Sequence, residues 1–365
     1  MPSEKPKLND LLLLLTIPNF GSGRIRRLFS VFDSTEAIFK APARRLMRVD
    51  GIDRKLIEHI KKGGNQHEVD EQLKLIEKHQ VNVLTIWDQK YPTLLKKTAD
   101  PPLVLFYKGE LLASLPPCLG VVGTRTPSQY GKSVTEKLVG DLVHNGIAIV
   151  SGLARGIDTV AHQSALNYGG KTIAVLGCGL DRIYPPENRK IFHSIQEKGV
   201  LFSEFFIGTG PDAVNFPRRN RIISGISLGV LIVEAGDKSG ALITANYAVD
   251  QNREVFAIPG AINNPKSSGP HRLIQQGAKL VHTVQDILDE IAPGLEQNKR
   301  AEKPIPSHLS ALDRTVLESL TTDPKHIDRL VLELKQTPAV VLSSLLNLEL
   351  SGLVRQLSGK MFIRL

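Results

Sequence analysis

Cysteine occurs twice in 365 residues, tryptophan once, and aromatic residues amount to 5%. Cys118 and Cys178 each stand in an apolar run with strand character. Two isolated thiols cannot build a disulfide framework or a multi-cysteine zinc site, so they read as small core residues of a reducing compartment. No apolar run approaches the roughly 20 residues that a membrane-spanning helix needs. The leucines Leu11–Leu15, bounded by Asp10 and Pro18, read as a buried helix. Pro18-Asn19-Phe20-Gly21 and the arginines after it do not form a signal-peptide cleavage region. A cytoplasmic protein without a membrane span is expected.

The common enzyme signatures are missing too. Gly123-Thr124-Arg125 stands where a dinucleotide fingerprint would follow the first strand, and Gly177-Cys178-Gly179 lacks the third glycine. There is no Walker A run and no His-Glu-x-x-His. His162 follows Asp158 on a helical stretch but has no identifiable nucleophile partner, so it reads as a capping or packing residue. No catalytic residue, metal or cofactor is expected.

What is present is positive charge: 46 Lys+Arg against 37 Asp+Glu, a net +9. Such a balance suits a polyanionic partner or serves solubility. The hydrophobic fraction of 41% suffices for packed cores. At about 100–200 residues per domain the length suggests two or three domains.

Three segments separate by pattern. Residues 1–85 alternate amphipathic runs with glycine turns, and two stretches look alike: Ile17–Gly23 leading to Arg24, Arg26 and Arg27, and Val49–Asp53 leading to Arg54 and Lys55. Apolar residue, glycine turn and basic helix describe a helix-hairpin-helix, whose free N–H groups can cradle a phosphate or whose turns can serve only as corners. Residues 86–292 alternate short continuous apolar runs (119–123, 147–151, 172–177, 200–204, 229–234 and 255–258) with amphipathic stretches at 132–144, 158–168 and 242–250. That pattern predicts an α/β domain with a doubly wound parallel sheet, which binds ligands at the carboxyl ends of its strands. A linker at 293–307, rich in Pro, Lys, Glu and Gln, precedes residues 308–365, where three helices and a β-hairpin outline a winged helix. Its expected recognition helix, Pro338–Asn347, has no Lys or Arg, which favours protein contact or autoregulation over duplex reading.

Polar glycine turns close nearly every predicted strand of the central domain: Gly123–Ser128, Ser151–Asp158, Gly177–Asp181 and Glu234–Gly240. Such turns expose backbone N–H groups beside helix N-termini, and Arg125, Arg155 and Lys238 accompany them. Within Asn215–Gly225, Arg218, Arg219 and Arg221 interleave with Asn220 and follow Phe216. Arginine forks pair with phosphates, and an aromatic ring can stack on a base.

These phrases together resemble the DprA/Smf family of DNA-processing proteins. The matching runs are Val121–Arg125, Ser151–Asp158, Phe216–Gly225, Ser239–Ala245, and Pro259-Gly260 followed by Leu273–Ala278, all in order through the middle domain. The resemblance implies an extended Rossmann-like core between a helical domain (sterile-alpha-motif-like or helix-hairpin-helix-like) and a C-terminal winged helix. It implies sequence-independent binding of single-stranded DNA, a homodimer through the core, loading of the RecA recombinase during natural transformation, and displacement or accommodation of single-strand-binding protein. By position, Gly123, Thr124, Arg125, Ser151, Gly152 and Arg155 would line the groove. Phe216, Arg219, Asn220 and Arg221 would form its centre, and Lys238, Ser239 and Gly240 would close it. Apolar residues near Leu273, Ile274, Leu280 and Val281 are the candidate dimer face. Relatives often carry serine where Ala241 stands, asparagine at Pro270-His271, and a basic residue where Ala213, Val214 and Asn215 stand, so the resemblance implies a grip on DNA that is weaker or differently distributed here.

The competing reading is a nucleotide-processing enzyme of the same Rossmann-like superfamily, with Glu234 or Asp158 as its acid or base. The Pro-Gly-Gly-x-Gly-Thr-x-x-Glu signature of the phosphoribohydrolases in that superfamily is absent.

Overall fold

A computed structural model describes residues 5–293, 309–321, 324–357 and 359–364. The chain divides into two compact units, Met1–Gln297 and Asn298–Leu365. The expected linker at 293–307 lies outside the described residues except for residue 293, as does Ser358 of the expected hairpin turn.

The first unit opens with six helices: α1 (Leu8–Leu15), α2 (Ser22–Phe29), α3 (Thr35–Lys40), α4 (Ala43–Leu46), α5 (Arg54–Lys62) and α6 (Gln66–Lys78). Side-chain caps set several starts: Ser34, Asp53 and Asn65 accept from the backbone N–H groups of Ala37, Leu56 and Glu68. The leucine run is a buried helix, with Leu11, Leu12 and Leu14 fully enclosed. The two look-alike hairpins close on themselves: Arg24 donates to the Asn19 carbonyl at 2.6 Å, and Arg27 donates to that of Asp50 at 3.1 Å. Two of the arginines that could have cradled phosphate thus hold the corners.

A nine-stranded sheet follows: β1 (Asn82–Thr85), β2 (Val104–Gly109), β3 (Cys118–Val122), β4 (Ala148–Ser151), β5 (Thr172–Val175), β6 (Val200–Ser203), β7 (Gly229–Ile232), β8 (Glu254–Ala257) and β9 (Lys279–Leu280). Its order is β1-β2-β6-β5-β4-β3-β7-β8-β9, in which β3 to β9 run parallel while β1 and β2 form an antiparallel edge beside β6. The predicted parallel strands are recovered to within two residues at most ends. The edge pair and β9 had no counterpart in the apolar pattern, and β1 carries the sheet four residues back across the expected boundary at 85/86. The helices α7 (Thr93–Lys96), α8 (Gln129–His144), α9 (Ile157–Asn167), α10 (Arg189–Lys198), α11 (Asn215–Ile226), α12 (Gly240–Asp250), α13 (Ser268–Gln275) and α14 (Gln285–Ile291) complete the unit.

Strand residues alternate between two hydrophobic clusters, as period-two geometry demands. Leu119, Val121, Ile149 and Leu231 face α8, α9 and α14, while Val122, Val150, Val230 and Ile232 face α11 and α12. The second cluster also contains the N-terminal leucines and isoleucines, so the helical segment shares its core with the sheet. Both sheet faces are therefore covered, and the strand ends carry the exposed polar loops.

The second unit contains α15 (Ala311–Ser319), β10 (Lys325–His326), α16 (Ile327–Leu334), α17 (Pro338–Leu350), β11 (Val354–Leu357) and β12 (Met361–Arg364), with an antiparallel sheet ordered β10-β12-β11. Three helices and a two-stranded wing are the predicted winged helix. On α17 the buried Val341, Leu345 and Leu348 pack inward, while Leu342, Leu346 and Leu350 form an exposed apolar stripe. Among the described residues, no helix is long and apolar enough to cross a membrane.

His162 packs, as expected, on the inner face of α9. Its Nδ1 lies 2.7 Å from the Thr172 hydroxyl, which donates to the Ile149 carbonyl at 2.9 Å, so the ring carries its proton on Nδ1 and donates it. Nε2 is buried without a partner. Burial, and then the charge of Arg219, push the ring pKa from 6.5 down to about 3. Protonation is thus resisted in the folded chain and free in the unfolded one, so stability is full above about pH 6.5 and falls with acidity by up to about 1.4 kcal/mol per pH unit. Thermal melts across that window should show a shallower acid loss in His162→Gln than in wild type. Parallel slopes would refute this source of acid sensitivity.

Candidate nucleic-acid interface

From β3 the chain winds through β4 and β5 to β6, then returns along α11 to β7 on the opposite side of β3. Connections leaving β3 and β7 therefore diverge, and the crevice opened between them at the carboxyl edge is the topological switch point where ligands bind in such sheets. A cleft of about 600 Å³ lies there, lined by Gly123, Thr124 and Arg125 from the first loop, Gly236–Ala241 from the loop after β7, and Asp158 and Asn220 from α9 and α11.

Backbone bonds fix the loops around this cleft. Thr124 donates its N–H to the Glu234 carbonyl at 2.7 Å and accepts at its own carbonyl from Ile157 at 3.2 Å, which joins three loops. The Glu234 carboxylate is buried and accepts from the Ser128 N–H at 2.8 Å and hydroxyl at 2.5 Å, anchoring the start of α8. Gly156, at φ +82°, passes so close to the first loop that a Cβ there would stand 2.2 Å from the Thr124 carbonyl oxygen. Ser239 caps α12 through the Ala241 N–H at 3.3 Å, and Asn220 donates to the Gly240 carbonyl at 3.3 Å. Opposite, Lys266 donates to the Thr126 carbonyl at 2.5 Å.

The structure divides the predicted site residues into two groups. Arg125, Arg155 and Lys238 are exposed on this edge. Arg155 pairs with Glu187, and Arg125 lies over the Phe216 ring at 5.6 Å. Ser151, Arg219 and Arg221 are not on it. Ser151 is fully buried and donates to the Val121 carbonyl at 2.6 Å. Arg219 is 4% exposed; its guanidinium donates to the carbonyls of Gly152, at 2.7 Å, and of Val175. A Cβ on Gly152 would meet Arg219 Nη2 at 2.5 Å, so glycine is what admits the guanidinium. Arg221 points away, to Glu204 and to the Asp100 carbonyl at 2.5 Å. Arg219 and Arg221 miss the groove because a helix turns successive residues about 100° apart and only one face of α11 meets the cleft, and Ser151 misses it because, as the last residue of β4, it turns into the sheet toward Val121.

Burial raises the Asp158 carboxyl, opposed by Arg219 and by the N–H groups of Gly152 and Ala154. Burial likewise lowers Arg219, to about 10, opposed by Asp158. At neutral pH Arg219 stays charged, bound to carbonyls and compensated by Asp158.

Beside the switch-point cleft is a smaller, narrow cavity, lined by Arg125, Arg155, Gly152, Gly177, Tyr184 and Phe216 among others. Half-buried Phe216 packs against Tyr184 with ring centroids 5.6 Å apart. Tyr184 and Lys266 were not anticipated: neither lies in a glycine turn, and each reaches the site from a long connection. The edge as a whole offers backbone donors, exposed cations and an aromatic wall, a set suited to a polyanion with flat groups. Of the proposed dimer residues, Val281 is 1% exposed and belongs to the core, whereas Leu280 is 43% exposed and Ile274 partly so.

Comparison with known proteins agrees with this architecture. The family model of DNA recombination-mediator protein A matches residues 82–292, and that of the DprA winged helix domain matches residues 300–360. The chain is 36% identical to Protein Smf of Synechocystis over 95% of its own length and 96% of the relative's. It is 48% identical to the DNA processing protein DprA of Streptococcus pneumoniae over 56% and 73% of the two chains. The solved structure of that pneumococcal protein aligns with a TM-score of 0.67 at 35% identity, covering 79% of this chain and 99% of that one. A Helicobacter pylori DNA processing protein A, whose structure was described for its single-stranded DNA binding mode, aligns at 0.52 and 32%, covering 57% and 94%. The chain belongs to the DNA recombination-mediator protein A family, the DprA/Smf proteins.

Proposed function

We propose that this protein binds single-stranded DNA, without sequence preference, along the carboxyl edge of its parallel sheet and passes the strand to a RecA-type recombinase during natural transformation. The observation that carries the reading is the convergence of exposed Arg125 and Lys238, the capped start of α12 and the Tyr184–Phe216 wall around the switch point. Single-stranded DNA is also the ligand of the Helicobacter relative, which supports the same class of ligand here. Arg125, Arg155 and Lys238 hold phosphates, backbone amides fix the strand's path, and Phe216 stacks on a base. Ser151, Arg219 and Arg221 position the loops rather than touch the ligand.

The role is binding, not catalysis. Glu234 is committed to Ser128, and Asp158 to backbone N–H groups and Arg219, so neither carboxylate is free for acid–base work. Release of base from a nucleotide by purified protein, abolished by Glu234→Gln, would instead establish the enzyme reading. The protein acts in the cytoplasm as a homodimer, through the open edge at β9 where Leu280 is exposed. It displaces or accommodates single-strand-binding protein on the strand. The apolar stripe of α17 makes the winged helix a protein contact.

Fluorescence anisotropy with labelled single strands should separate the two groups of arginines. Arg125→Ala and Lys238→Ala should each weaken binding and reduce the slope of log K against log salt by about 0.7, with the melting temperature kept. Arg219→Ala should lose about 3–5 kcal/mol of stability, because it leaves Asp158 and two carbonyls uncompensated. Wild-type affinity in the first pair would remove the proposed site. For the dimer, Ile274→Asp combined with Leu280→Arg should halve the mass in solution, and an unchanged mass would place the interface elsewhere.

A further inference from the structure

The arginines of the first helical hairpin are not all consumed by its corners. A second cleft, of about 300 Å³, opens between α2 and the segment after β1, and Arg26, Arg27, Phe29, Ile86 and Trp87 line it. Phe29 is buried and meets Trp87 edge-on, with centroids 5.8 Å apart and planes at 83°, so the aromatic wall is rigid. The Trp87 indole nitrogen is buried without a partner, so the part of this half-buried side chain that reaches the cleft is carbon, suited to stacking rather than hydrogen bonding. Arg27 is tied to Asp50. Arg26 is not: among the described residues it makes no ion pair and donates only to the Ala99 carbonyl, at 3.3 Å. Residues 21–62 around it contain eleven Lys/Arg against five Asp/Glu.

We infer that this cleft is a second nucleotide subsite, which holds a phosphate on Arg26 and stacks a base against Trp87. A nucleotide joins an anion and a flat ring in one unit of fitting size, and a guanidinium beside an aromatic face meets both halves. An acidic peptide would find the cation but would leave the aromatic wall without a flat partner. The inference rests on the single-strand reading above: with the strand already held at the sheet edge, a contact here acts at high local concentration and tightens binding of strands long enough to reach it.

Trp87 is the sole tryptophan, so its fluorescence reports this cleft alone. The full chain is titrated with oligothymidylates of about 6 nucleotides, within the footprint of one single-strand groove, and about 30, well beyond it. The long strand should quench Trp87 saturably, and Arg26→Glu should abolish the quenching and weaken long-strand binding roughly 3- to 10-fold. Arg26→Lys, which keeps the charge, should restore most of both. Short-strand affinity, measured by anisotropy with a label, should be the same in all three proteins. Long-strand binding by anisotropy with no change at Trp87, or quenching that survives Arg26→Glu, would overturn the subsite while leaving the sheet-edge reading intact. Absence of any single-strand binding would overturn that reading itself. Quenching by a glutamate-rich peptide containing phenylalanine, with none by oligothymidylate, would also overturn the subsite and give the cleft to a protein partner.

Discussion

The carboxyl edge of the sheet is organised by one buried guanidinium. Arg219 reaches from α11 to the carbonyls of Gly152 and Val175, the backbone just beyond β4 and the last residue of β5, with Asp158 as its counter-charge. Enclosing an arginine carries a desolvation penalty of several kcal/mol, which is offset only when its donors and charge are matched as they are here. Removing either partner leaves the other uncompensated, so the interaction specifies one arrangement more than it adds net stability. Because Gly152 sits against the guanidinium and Asp158 holds the Gly152 and Ala154 amides, the loop after β4 has little freedom. Glu234 does the same for the first loop through Ser128 and Thr124.

This arrangement explains why an arginine-rich run need not be an arginine-rich surface. Within Arg218–Arg221 the helix sends Arg219 under the loops and Arg221 to Glu204 and Asp100, while Arg218 stays exposed near Glu204. Charge counted along a sequence has no direction; on a helix, direction decides whether a cation meets solvent or the core. The exposed cations that remain at the edge come from loops instead, where no regular period dictates their burial.

The layering of the sheet was legible because buried parallel strands leave continuous apolar runs, and Leu119–Val122 or Val230–Val233 can hardly be anything else. The turns at the strand ends were legible for a similar reason, since glycine is needed where loops pass as closely as Gly156 and Thr124 do. The edge strands were not. β1 offers Asn82–Thr85, half exposed, and β9 only two residues, too short to establish a period. Nor could pattern alone reveal that Ser151 faces inward to Val121, or that Tyr184 travels back to pack on Phe216, because both facts depend on long-range placement. The α17 stripe is intermediate: the absence of basic residues was plain, but the exposure of Leu342, Leu346 and Leu350 required the fold.

A protein that collects a single strand and then gives it up needs affinity that another protein can overcome. Loops fixed in advance make little further loss of conformational freedom on binding, so a few cations and a stacked ring suffice. On the proposed reading, contacts through exposed, long side chains such as Arg125 and Lys238 are electrostatic and readily exchanged one at a time, unlike the buried pair of Arg221 and Glu204. Fixed loops below and exchangeable cations above therefore answer the two opposed demands. On that reading the strand's path would be set by fixed backbone, and its release by charges that a competing basic surface can replace.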